Sequence, residues 1–133
     1  MIKTAKKITT NFPLMVIVAV FIVLSWTGEV IHNAVELPML TLLSPENSLP
    51  ALVSLILFAN WWMLPYKRLG ALLLLTWGML HLVVGAVITV IPFSFLPFVP
   101  EQSLRHYSTH VLYGVAQLPL IITMARQMRK PRF

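Results

Sequence analysis

Long apolar runs, broken by prolines and small clusters of charge, divide this chain into four stretches. Among the long apolar runs are Leu14 to Ser25 and Leu69 to Pro92. Apolar runs of this length predict membrane-crossing helices rather than the one-sided stripe of a surface helix. Four spans follow, at about residues 14–37, 49–64, 68–91 and 104–128. The second is short because Pro50 and Pro65 bracket it, and proline fits poorly inside a helix. The third stops at Pro92. The predicted fold is all-α: one integral membrane four-helix bundle filling residues 1–133, with no internal repeat.

Two connections join the spans on the side opposite the ends. Pro38 to Pro50 is the first. Pro92 to Ser103 is the second, and it carries three prolines and three phenylalanines with few polar groups. A solvated loop would be more polar, so Phe93, Phe95 and Phe98 are expected to anchor it in the membrane interface. A lid over a pocket is the alternative.

Composition sharpens this picture. Hydrophobic residues make up 58% of the 133 and charged residues 11%, against about 45–50% and about 25% in soluble domains. There is no cysteine, which removes disulfides, thiolate metal sites and cysteine nucleophiles. The net charge of +6 could suggest nucleic acid, but no nucleic-acid module is present and the basic residues sit at helix ends, where they meet lipid headgroups. The bilayer is the partner they imply. Of ten Lys and Arg, nine (Lys3, Lys6, Lys7, Lys67, Arg68, Arg126, Arg129, Lys130 and Arg132) fall on one side of a four-span arrangement, and Arg105 on the other. The positive-inside rule then puts both termini in the cytoplasm, most simply at the cell membrane. A basic tail before an apolar run also describes a signal peptide, but this run is long and no small-x-small cleavage site follows it, which favours an uncleaved anchor.

The candidate chemistry lies in the ionisable residues within those apolar spans. The four histidines are His32, His81, His106 and His110, and the four acids are Glu29, Glu36, Glu46 and Glu101. Glu46 and Glu101 belong to the outer connections. Glu29 is sixteen residues past Pro13, roughly 24 Å along a continuous helix, and His81 is thirteen past Arg68, roughly 20 Å. The remaining six residues therefore map to the outer half of a hydrocarbon layer about 30 Å thick.

Helical faces agree with this depth. Glu29, His32 and Glu36 share a stripe, as do His106, His110, Tyr113 and Gln117, and as do Gly78, His81 and Gly85. A charge at mid-bilayer costs about 2.5–3.5 kcal/mol on insertion scales, so such groups turn inward and find partners. Glu29 must shed its charge by taking a proton, or pair with a histidinium or a metal. The prediction is an inward-facing ligand site of Glu29, His32, Glu36, His81, His110 and Tyr113, opening outward. Trp26, Trp61, Trp62 and Trp77 are wall residues of a pocket or ordinary packing. Asn60 and Gln117 are expected to bond between helices.

Glu29-x-x-His32 is the spacing used in carboxylate-bridged di-metal bundles, and His106-x-x-x-His110 puts two imidazoles on one face. Metal ligands would come from Glu29, His32, His81, His106 and His110, a nitrogen and oxygen set suited to zinc or iron. The ExxH motif occurs once, which fits a mononuclear site better than a dinuclear one. Membrane desaturases and hydroxylases use several histidine boxes, a pattern that four histidines do not meet. A b-type haem between His81 and His32 or His110 is a second option, with Gly78 and Gly85 making room for the ring. The cofactor-free options are proton relay, a lipophilic or cationic ligand from the outer leaflet, and a structural role. As an enzyme the chain would use His110 or Glu29 as general base or metal ligand on a lipophilic substrate. Otherwise it is a binding or assembly subunit, a homo-oligomer or part of a larger membrane complex.

Overall fold

Helix boundaries follow the apolar runs closely at three of the four spans. The computed structural model describes residues 12–129. They form α1 (Phe12–Glu36), α2 (Pro45–Met63), α3 (Lys67–Leu80) and α4 (Leu104–Arg129), with α3 continued by a π-helical turn (His81–Val87) and a 3-10 turn (Ile88–Val90). No strand occurs among the described residues. Lys3, Lys6, Lys7, Lys130 and Arg132 lie outside them. Three helices are long and apolar enough to cross a membrane: α1, α3 with its continuation to Val90, and α4. The described residues form an all-helical membrane protein.

α2 departs from the expectation. It begins at Pro45 and holds Pro50 inside. Pro45 suits the first turn because its missing N–H would have no helical partner there anyway. Pro50 forgoes the bond to the Glu46 carbonyl, at an end already polar. With Pro45, Glu46, Asn47 and Ser48 in its first turn, α2 is not among the helices apolar enough to count as a span.

Consecutive helices run antiparallel. Trp26 donates to the Asn47 carbonyl at 2.8 Å, tying α1 to the start of α2. Trp77 donates to Ser54 Oγ at 2.9 Å between α3 and α2. Along the α1–α4 seam the pairs are Glu36 with His106, His32 with His110, and Ser25 with Gln117. Rising numbers in one helix meet falling numbers in the other, so Phe12 and Arg129 end at the same face of the array.

The interior is divided along its length. Toward that face it is apolar: Val18, Trp61, Ala71, Leu74, Leu120 and Met124 form the buried core. Toward the opposite face the buried side chains are polar, among them Glu29, Asn33, Asn47, His81, His106, Thr109, His110 and Gln117. Close backbone approach permits this. A Cβ on Gly28 would stand 2.5 Å from the Ala116 Cβ, so only glycine lets α1 lie this near α4.

Candidate functional site

Ser25 and Gln117 form the deepest polar contact at the α1–α4 seam. Ser25 Oγ donates to Gln117 Oε1, and Gln117 Nε2 donates to the Ser25 carbonyl at 3.2 Å. Gln117 is fully buried, and it bridges helices as its position suggested. Asn60 does not: its Nδ2 donates to the Ile56 carbonyl of its own helix at 2.8 Å, on an exposed face.

The next layer joins three helices. The Tyr113 hydroxyl lies 2.5 Å from His81 Nδ1, and Glu29 Oε2 lies 3.8 Å from the same nitrogen. All three residues are buried. Trp77 packs edge-on against His81, ring centroids 4.5 Å apart. His81 opens the π-helical turn, a local widening that often marks functional positions.

One turn further out, His32 Nε2 and His110 Nε2 are 3.0 Å apart across the seam. The other nitrogen of each ring faces an oxygen: His32 Nδ1 lies 3.1 Å from Asn33 Oδ1, and His110 Nδ1 lies 3.1 Å from the Ala86 carbonyl. In a π-helical ladder that carbonyl would bond the Ile91 N–H, but Ile91 N–H donates to the Ile88 carbonyl instead, at 3.3 Å. Ala86 is thereby left to hold His110.

Outermost, Glu36 takes both its neighbours on α4. Its Oε2 is 2.9 Å from His106 Nδ1 and its Oε1 is 2.9 Å from the Thr109 hydroxyl. His106 packs edge-on against His110, ring centroids 4.4 Å apart. Its Nε2 is buried and has no hydrogen-bond partner among the described residues. Arg105 closes this end, 2.6 Å from Glu101 and 4.0 Å from Glu36. The hydrogen bond from Ser103 and the Arg105 guanidinium hold the exposed Glu101 carboxyl below the usual carboxylate range.

The six expected ligand residues thus lie in successive layers between α1, α4 and the π-helical turn, with the His32 and Tyr113 rings 5.4 Å apart between layers. His32 meets His110, Glu29 and Tyr113 meet His81, and Glu36 meets His106. Sequence reading missed Asn33, Asn47, Thr109 and Ser25. Asn33 adjoins His32 and Thr109 adjoins His110, so adjacency was the available signal. Nothing local marked Asn47, which is brought in by α2.

Among the described residues no three His, Asp or Glu side chains gather around one point as a finished metal site would. The His32/His110 pair still fits two adjacent ligands of one ion, because bonds of about 2.0–2.1 Å span that gap at roughly a right angle. The space beside the glycines, where a haem ring between His81 and His32 or His110 was expected, is taken by Ile121 at Gly78 and by Tyr113 at Gly85.

An open apolar groove runs between the π-helical turn and α4. It has a volume of about 350 Å³ and is walled by Leu82, Ala86, Val87, Val111 and Val115, with His110 and Tyr107 at its edge. Comparison of the chain with models of known families, with curated proteins and with solved structures gives no match.

Proposed function

We propose that this chain is an integral membrane protein that binds a transition-metal ion between His32 and His110. The observation that carries the reading is the 3.0 Å separation of the His32 and His110 Nε2 atoms. Each ring has its Nδ1 against an oxygen acceptor, Asn33 Oδ1 or the Ala86 carbonyl. In a neutral ring the proton then belongs on Nδ1 and the lone pair on Nε2. Two lone pairs facing each other at this distance repel unless a cation sits between them.

His106 packs against His110, ring centroids 4.4 Å apart, and brings a further imidazole beside the pair. Its Nδ1 faces the Glu36 carboxylate, and its Nε2 is buried without a partner. Metal-binding histidines have this form: one nitrogen on the metal, the other on a carboxylate or backbone carbonyl that fixes the tautomer. Imidazole donors suit zinc or copper(II). Such an ion would supply Lewis acidity near the outer end of the seam. Glu36, Asn33 and Ala86 would orient the ligands, and the surrounding helices would keep out bulk water.

Lys67, Arg68, Arg126 and Arg129 lie at the same end of the array as Phe12. By the positive-inside rule we place that end in the cytoplasm and the histidine layer toward the outer face of the cell membrane.

The test is metal content. Purified wild-type protein, exposed in turn to zinc, copper, iron and manganese and then desalted, is expected to retain about one ion per chain of at least one metal. His32→Ala and His110→Ala should lose it. Wild-type protein that retains none of the four would overturn the reading. The groove beside His110 favours a second reading, a lipophilic ligand of the outer leaflet held against α4, which would survive that outcome.

A further inference from the structure

Asn33 and Asn47 are neither acids nor histidines, yet both are buried in the polar half of the protein. They form a chain that can be read in one direction only. Asn47 Nδ2 is 2.8 Å from the Thr41 carbonyl. A carbonyl only accepts, so the NH2 end of Asn47 must point there. Asn47 Oδ1 then accepts from Asn33 Nδ2, at 2.8 Å. That leaves Asn33 Oδ1 toward His32 Nδ1, at 3.1 Å. An amide oxygen only accepts, so His32 Nδ1 must carry a proton.

Reversing Asn47 would set its Oδ1 against the Thr41 carbonyl oxygen, and reversing Asn33 would set its Oδ1 against Asn47 Oδ1. The anchor is itself held: the Asn47 carbonyl accepts from Trp26 Nε1 at 2.8 Å, and the Asn47 N–H donates to the Ser44 carbonyl at 2.9 Å.

We propose that Asn33 and Asn47 are positioning residues that fix His32 as the Nδ1–H tautomer and so present its Nε2 lone pair to His110. The information starts at a carbonyl in the connection between α1 and α2 and reaches the seam through two side chains. This gives α2 a role in the site although it contributes no ligand. The consequence for metal affinity rests on the metal-binding reading, but the tautomer does not.

The two are separated by measuring the tautomer in metal-free protein. Histidine labelled with ¹⁵N is incorporated into the full chain, chelator-treated and held in lipid bilayers, and the His32 signals are assigned by their loss in His32→Gln. Wild type is expected to show a protonated Nδ1 at His32. In Asn33→Leu and Asn47→Leu that signal should give way to a mixture of tautomers. Asn33→Asp should keep it, because a carboxylate accepts as the amide oxygen does. A role limited to packing would treat Asp and Leu alike.

If wild type binds zinc, Asn33→Leu should bind it about 10–100-fold more weakly, as expected for loss of a group that orients a ligand. A bare Nδ1 on His32 in wild type overturns the inference with no variant needed. So does an unchanged Nδ1 signal in both Leu variants. Wild type that binds no metal but shows the protonated Nδ1 overturns the metal reading and leaves this one standing.

Discussion

Gln117 and Asn60 show how little a single residue type says at the residue scale. Both are amides in apolar helices, and both were expected to bond between helices. Gln117 lies on the stripe that faces α1 and is fully buried against Ser25. Asn60 lies on the outside of α2 and satisfies its amide on the Ile56 carbonyl one turn back. Gln117→Leu should therefore lower stability by about 1–2 kcal/mol, the upper range for interhelical hydrogen bonds in membranes. Thermal unfolding in detergent measures it, and Asn60→Leu, measured beside it, should change little. Glu29, Glu36 and the four histidines were legible as a group because charge is costly in an apolar helix. Which of them touch was not, because contact depends on side-chain reach across a seam.

At the scale of elements, the α1–α4 seam depends on one close approach. A Cβ at position 28 would stand 2.5 Å from the Ala116 Cβ, closer than two carbons can sit. Gly28→Ala should push the helices apart and cost about 1–3 kcal/mol, as overpacking does. Ala116→Gly in the same chain should restore much of that loss, since it removes the atom struck. The pair of single variants and the double variant, compared by thermal unfolding, gives the coupling directly. If the double variant is as unstable as Gly28→Ala alone, the close approach is not what holds the seam. Helix ends were readable at α1, α3 and α4 because apolar length and terminal basic residues mark them. At α2 the end was readable, Pro65 falling just past Met63, but the start was not. The bracketing rule for Pro50 failed because the helix starts a turn earlier at Pro45 and carries Pro50 at the cost of one bond, to the Glu46 carbonyl. The π-helical turn at His81–Val87 was likewise invisible, because it answers to packing against α4 rather than to any residue preference within it.

For the whole molecule, the antiparallel order places Phe12 and Arg129 at one face and Arg105 at the other. Single cysteines placed at Ser44 and at Glu101, in a chain that has none, are expected to react with a membrane-impermeant thiol reagent applied outside intact cells. A cysteine at Lys67 should react only after the membrane is opened. Labelling of position 67 from outside would reverse the orientation. The sequence by itself determined that the chain is helical, lies in a membrane and carries its glutamates and histidines toward one end of its helices. Those properties follow from hydropathy and from helical rise, which are local and additive along the chain. Only the tertiary structure decided that His32 meets His110, that Glu29 and Tyr113 meet His81, and that α2 enters through Asn47. Each of these depends on the register between helices, which is set by where small residues let backbones close and by which donors find acceptors across the gap.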